Sequence, residues 1–328
     1  MIEAQAVRIV GKGETDALTI GAIPVREPGP SEIRVQVAAA GLNRADILQR
    51  RGFYPAPDGV AADVPGLEYA GRVEQIGEGV RNWAVGDSVM GIVGGAAMAT
   101  HLVVHEREAI RVPASMPLEE AAAVPEVFLT AYDALFVQAQ MALGELLLVH
   151  AVGSGVGTAT LQLALVAGAE VIGTSRTTDK LARCHALGLT EGLTVTDKTF
   201  AGAVTERMGR ACDVIVDTIG AAYLAENIKA LAPRGRMVAV GLLGGAAAEL
   251  PLGLLLAKRA TLIGTVLRSR PLEEKIAVAQ RFSHHTLPLF AAGRLKPVID
   301  VVMPMSDVRA AHQRMERNET FGKIVLRW

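Results

Sequence analysis

At 328 residues, with 33 basic and 34 acidic side chains and a net charge of −1, the chain has no field to draw a nucleic-acid backbone and exceeds one ordinary core. Half of it is hydrophobic but only 4% is aromatic, the balance expected of helices packed through Ala, Val, Leu and Ile on a parallel sheet. Two cysteines, Cys184 and Cys212, make no CxxC pair, which excludes a zinc knuckle or disulfide framework and suits a reducing compartment.

The first residues, MIEAQAVRIVGKGE, read as a charged strand rather than a signal peptide, and no apolar run approaches the ~20 residues of a membrane span. The expected location is therefore the cytoplasm. Up to about Val112, short alternating runs (32-EIRVQVAAAGL, 71-GRVEQIG, 85-VGDSVMGIV, 101-HLVVH) predict a β-rich module. One helical insert, 43-NRADILQRR, has Asn43 as its cap and Gly52 at its stop, and the two prolines of 53-FYPAPDG then impose a stiff loop. The stretch 64-VPGLEYAGRVEQIGEGV brackets one acid, Glu68, with glycines and sets Leu67 beside it. His101 and His105 lie in a strand-like run without Cys or His partners, so they read as ordinary sheet residues and no metal site is predicted.

Prolines in 112-VPASMPLEEAAAVPE mark a crossing point, after which strand and helix alternate. Strands are expected at Leu146–His150, Glu170–Thr174, Val214–Asp217, Met237–Val240 and Thr261–Thr265, with helices such as 157-GTATLQLALVAG between them, hence a doubly wound parallel sheet. Beyond Arg270 comes a helix, and 322-GKIVLRW reads as a last strand returning to the first domain, with a cleft between the two bodies. The expected fold class is α/β: a β-rich domain over 1–124 and 267–328 and a doubly wound parallel-sheet domain over 125–266.

The segment 146-LLLVHAVGSGVGTATLQLALVAGAEVIGTS-175 is one βαβ unit with a glycine-rich turn. Small residues there permit a tight reversal, approach of backbone N–H groups to a pyrophosphate, and close helix–strand packing. Gly153, Ser154, Gly155, Val156 and Gly157 form the expected site. No acid stands at 174–178, where one would bind a ribose 2′-hydroxyl; Ser175, Arg176 and Lys180 suit a 2′-phosphate, although two cations also fit a solvated helix start.

The segments 41-GLNRADILQRRGFYP, 65-PGLEYAG, 86-GDSVMG, 119-EEAAAVPEVFLTAYDAL, 150-HAVGSGVGTA, 235-GRMVAVGLLGG, 264-GTVLRSR and 322-GKIVL together resemble the medium-chain dehydrogenase/reductase superfamily, in its zinc-independent quinone oxidoreductase branch. Zinc members carry histidine at the position of Leu67 and cysteine near Asn43, so the resemblance implies a reductase working without that metal. It further implies a GroES-like substrate domain over 1–124 and 267–328, a Rossmann dinucleotide-binding domain over 125–266, and NADPH as cofactor, held additionally by Asn43, Thr130, Gly241, Leu242, Leu267, Phe321 and Lys323. Tyr54 and Ser154 stand where some members of the branch carry a tyrosine and a serine, and with Asn43 they are the candidate catalytic residues. Tyr54 reads either as hydrogen-bond donor to a developing oxyanion or as an apolar wedge, and Asp46 reads as structural. Val195 and Thr320 depart from residues that relatives place beside the cofactor. The implied substrate is a quinone, with an enone or enoyl C=C reductase as one alternative and an NADPH-binding sensor or RNA-binding protein as another. Relatives pair through the edge strand 260-ATLIGTVL, so a homodimer is expected.

Overall fold

The computed structural model describes all residues, 1–328. Fifteen strands follow in chain order: β1 (Ile2–Ile9), β2 (Leu18–Val25), β3 (Glu32–Leu42), β4 (Glu68–Ile76), β5 (Ser88–Ile92), β6 (His101–His105), β7 (Ile110–Arg111), β8 (Leu146–Val149), β9 (Glu170–Ser175), β10 (Glu191–Thr194), β11 (Cys212–Asp217), β12 (Leu231–Ala239), β13 (Thr261–Gly264), β14 (Ile299–Pro304) and β15 (Lys323–Arg327). Two compact units hold them, one built from Met1–Leu129 with Leu267–Trp328 and the other from Thr130–Val266.

The first unit is the GroES-like one. Its main sheet runs β14-β15-β3-β4-β5-β7, with β6 also on β3, and β1 and β2 form a separate antiparallel pair. Strand β3 takes partners at both ends: β6 opposite residues 32–36 and β15 opposite 39–42. With neighbours on every side it buries Ile33, Val35, Val37, Ala39, Ala40 and Leu42, which explains a run too apolar for simple alternation. Pairings of Ala40 with Tyr69 and of Leu42 with Ile324 bring the starts of β4 and β15 to one end of β3, where the helix Arg44–Arg50 begins. Gly52 follows this helix at φ +80°, a left-handed stop that a side chain resists.

In the second unit six strands run parallel in the order β10-β9-β8-β11-β12-β13, the doubly wound arrangement. All four residues of β8 are buried. Strand β13 lies at the sheet edge. Strand β10 was absent from the periodicity: 191-EGLT is four residues with a charge and a glycine, too short to alternate. Strand β12 starts at Leu231 rather than Met237, because Pro233, Arg234 and Gly235 break its apolar pattern where its register against β11 shifts.

Candidate active site

The glycine-rich turn leaves β8 and enters the helix Gly155–Val166. Ser154 caps that helix, its Oγ accepting the Gly157 N–H at 3.0 Å, which satisfies one of the helix's first donors and leaves the others for an anion. The reversal itself is a correction to the sequence reading. Neither Gly153, Gly155 nor Gly157 adopts a positive φ; Ala151 does, at +48°, a conformation that costs a residue with a Cβ about 1–2 kcal/mol. Gly157 has the close-packing role instead, since a Cβ there would lie 2.5 Å from Ala151 O and 2.6 Å from Val152 Cα. Gly173 on β9 is pressed likewise against Val152 Cγ1, at 2.6 Å.

Beneath this turn lies a buried polar network. Asp217, at the end of β11, accepts N–H groups from Ile219 (2.6 Å) and Gly220 (3.1 Å) and the Asn227 Nδ2 donor (3.1 Å). That bond orients the Asn227 amide, so its Oδ1, 2.6 Å from His150 Nε2, must accept from that nitrogen. His150 Nδ1 is then the acceptor for Thr174 Oγ1 at 2.9 Å. The ring stacks edge-on between Phe200 and Tyr223, and burial lowers its pKa to about 4, so it is neutral. Burial pushes the Asp217 carboxyl up to about 6. One further group, Thr218 Oγ1, is buried beside Gly241 without a hydrogen-bond partner.

The remaining predicted residues of this unit are dispersed. Ser175 is buried and accepts the Thr177 N–H at 3.2 Å, Arg176 is exposed, and Lys180 is half-buried in the helix Thr178–His185. Leu242 is exposed, and Thr130 and Val156 are half-buried. Val195 is buried with its N–H on Ser175 O.

In the first unit the ends of β3, β4 and β15 assemble an ionic cluster. Lys323 Nζ lies 2.6 Å from Glu68 Oε1, 2.6 Å from Asn43 Oδ1 and 2.9 Å from Leu42 O, which uses its three N–H groups. Asn43 Nδ2 donates to the same Glu68 oxygen (2.9 Å) and to Gly41 O (3.2 Å), while Glu68 Oε2 accepts the Glu126 N–H at 2.8 Å. Glu68 and Lys323 are both buried, the burial of two charges that only a paired, fully bonded geometry tolerates. Gly41 makes the approach possible, because a Cβ there would meet Glu68 Oε1 at 2.2 Å. Asn43 therefore serves this cluster with its side chain, and the helix start is closed by Asp46, which accepts the N–H groups of Asn43 (2.8 Å) and Gly66 (2.9 Å). Burial pushes the Asp46 carboxyl up to about 6.

Tyr54 is half-buried on its loop, its ring 4.8 Å from the Arg268 guanidinium. Burial first, then the charge of Glu126, raises its pKa above the usual tyrosine value, so its hydroxyl is a neutral donor. Arg268 is itself pinned, donating to Gly94 O (2.7 Å), Tyr54 O (3.2 Å) and Gln49 Oε1 (2.6 Å). Leu267 and Phe321 are buried, and Thr320 is half-buried. Sequence reading missed Glu126, Arg268 and Thr218. The signal for the first was an acid set within the apolar run 121-AAAVPEVFL; the other two carried none.

Comparison with known proteins now bears on this geometry. Residues 29–114 match the alcohol dehydrogenase GroES-like domain and residues 155–283 the zinc-binding dehydrogenase model. The chain is 31% identical to a quinone oxidoreductase of Pseudomonas aeruginosa, over 98% of this chain and 99% of that protein. It belongs to the medium-chain dehydrogenase/reductase superfamily. Among solved structures of this superfamily, a quinone oxidoreductase of Pseudomonas syringae superposes with a TM-score of 0.87 at 28% identity, covering 99% of this chain and 100% of that one. The JamJ enoyl reductase superposes with a TM-score of 0.88 at 26% identity, covering 99% of each chain.

Medium-chain dehydrogenases and reductases bind a nicotinamide dinucleotide, and the turn after β8 fits one: the helix Gly155–Val166 starts there with backbone N–H groups left for an anion, and Thr218 Oγ1 is buried without a hydrogen-bond partner. The zinc implied by the second family model fits less well. Leu67 offers hydrocarbon, the Asn43 amide is fully engaged, and the Lys323 ammonium already neutralises Glu68. No group of three or more His, Cys, Asp or Glu side chains gathers elsewhere to hold a metal. No helix is long and apolar enough to cross a membrane.

Proposed function

We propose that the protein is a zinc-independent NADPH:quinone oxidoreductase. One observation carries the reading: an ammonium, Lys323, neutralises the buried carboxylate of Glu68, next to a leucine, Leu67, that has no donor atom for a metal. Bound NADPH supplies a hydride, and an electron-poor acceptor receives it without Lewis-acid help. What the acceptor then needs is a donor to its developing oxyanion, and the Tyr54 hydroxyl, neutral at pH 7 and steadied by Arg268, supplies one. Gln49, on the helix Arg44–Arg50, helps hold the Tyr54 loop in place: it accepts from Arg268 at 2.6 Å and donates to Ala62 O at 3.0 Å.

NADPH is preferred over NADH on the strength of Ser175, Arg176 and Lys180, which end β9 with donors and cations and no acid. Gly153, Ser154, Gly155 and Val156 hold the pyrophosphate. Ser154, with its Oγ acceptor used in the cap, retains its hydroxyl proton for a ligand. The edge strand β13 is the pairing surface of a homodimer, since Leu262 and Ile263 would otherwise end the sheet as an open apolar edge. The buried free thiols of Cys184 and Cys212 suit a cytoplasmic protein.

Reduction of an enone or enoyl C=C is the second reading, supported by the likeness to the JamJ enoyl reductase. A panel of quinones, enones and enoyl thioesters, each with NADPH and with NADH, decides between them. Quinones turned over fastest with NADPH is the expected result; enoyl thioesters preferred over every quinone would select the second reading.

A further inference from the structure

We propose that Glu126 is a catalytic residue: the acid that protonates the oxygen of the reduced acceptor. The proposal rests on the reductase reading above and deepens it. Glu126 occupies the second position of the helix Pro125–Tyr132, and its backbone N–H is tied to Glu68 Oε2 at 2.8 Å. Its own Oε2 is sealed from solvent yet has no hydrogen-bond partner, although the residue as a whole is only half-buried. A buried carboxyl oxygen without a partner is rare enough to require a reason.

The surrounding charges supply it. Glu126 faces Glu68 on β4, Asp46 on the helix Arg44–Arg50, Lys323 on β15 and Arg268 after β13, and it lies near enough to Tyr54 to raise that hydroxyl's pKa. Neither cation is available to it as an ion-pair partner of choice: Lys323 has placed its N–H groups on Glu68, Asn43 and Leu42, and Arg268 aims its fork at Gly94, Tyr54 and Gln49. Burial, then the negative charge of Glu68, pushes the Glu126 carboxyl up to about 8. At pH 7 it is a carboxylic acid with an O–H to give, beside a tyrosine that orients.

The step balances. The acceptor gains the two electrons of a hydride whose C–H bond breaks on the bound dihydronicotinamide, which is thereby oxidised, and negative charge collects on the acceptor oxygen. The Glu126 O–H bond breaks as the acceptor O–H bond forms, leaving a carboxylate that water reprotonates. One hydride and one proton enter, and the two-electron-reduced acceptor leaves.

The test is Glu126→Gln, close in shape and without an acidic proton, assayed with whichever acceptor the wild type reduces. The expected result is a kcat at pH 7 lower by at least about tenfold, less than the 10²–10⁴ that general acids typically contribute because an electron-poor acceptor needs less help, with the KM for NADPH unchanged. Wild-type kcat should fall as pH rises through about 8 and show a solvent deuterium effect; both should vanish in the variant, and Glu126→Asp should restore part of them. A variant with wild-type kcat and the same alkaline limb would overturn the proposal. Should Glu126→Gln not fold, a wild-type kcat that stays flat through pH 8 overturns it. A readout independent of turnover separates this from failure of the reductase reading. With its folded pKa raised from 4.5, Glu126 binds more protons folded than unfolded between pH 4.5 and 8, so wild-type stability must fall relative to the variant across that window. Linkage present in a chain that reduces no acceptor sinks the reductase reading; linkage absent sinks the buried acid.

Discussion

The two units each bury a polar network, and they solve the problem of burying charge in opposite ways. In the Rossmann unit, Asp217 meets backbone N–H groups and an amide, and its histidine stays neutral between a hydroxyl and a carbonyl oxygen. In the GroES-like unit, Glu68 meets a full cation, Lys323, and an asparagine joins both. Dipoles fixed by the backbone leave little to lose when one side chain changes. A lone counter-ion concentrates the risk in one residue.

The difference is most exposed by Lys323→Met, which leaves Glu68 buried and uncompensated. A loss of about 3–5 kcal/mol in unfolding free energy is expected, measured by urea titration, and a loss under 1 kcal/mol would show that the two networks are equally tolerant. His150→Gln probes the neutral network, and its effect should depend on pH. The folded pKa of His150 is lowered from 6.5 to about 4, so the folded state binds fewer protons in that window and the histidine's contribution is lost as pH falls. Wild type should lose on the order of 2 kcal/mol relative to the variant between pH 6.5 and 4, from about 1.4 kcal/mol per unit reduced for partial relaxation. A difference that does not change with pH would mean the ring is already charged.

Tyr54→Phe should lower kcat about tenfold, less than the 10²–10³ typical of an oxyanion donor because the proposed quinone acceptor is intrinsically reactive. Normal kcat in Phe with a raised KM only in Tyr54→Ala would make the ring a wall and leave the hydroxyl without a role. Above the neutral network, Arg176→Ala with Lys180→Ala should raise the KM for NADPH severalfold, the equivalent of about 1 kcal/mol for exposed charges. The KM for NADH should barely move; an equal rise in both would remove these residues from 2′-phosphate recognition.

Much of the Rossmann unit was legible because its signals are local. A buried strand, a run of small residues and a helix lie within 30 positions, and β8, β9, β11 and β13 fell close to where periodicity put them. Which residue makes the reversal was not legible: three glycines advertise flexibility, yet Ala151 takes the left-handed turn. In the other unit the strands were readable but their chemistry was not. Leu67 stood out only against the histidine of zinc-binding relatives, whereas the role of Glu126 depends on Glu68 and Lys323, brought to it by strand pairing that no window of sequence contains.

The counter-ion pair also sets an order in time. Glu68 lies in the fourth strand in chain order, while Lys323 opens the fifteenth. At synthesis rates of about 5–20 residues per second, the carboxylate waits roughly ten to fifty seconds for its ammonium. The Rossmann unit, contiguous from Thr130 to Val266, emerges whole during that interval. The GroES-like unit cannot complete its sheet until β15 has been made and pairs with β3, which brings the cation to Glu68. Vectorial synthesis thus favours the nucleotide-binding half as the first to mature, and a nascent chain stalled before residue 323 should hold it folded beside an unfinished neighbour.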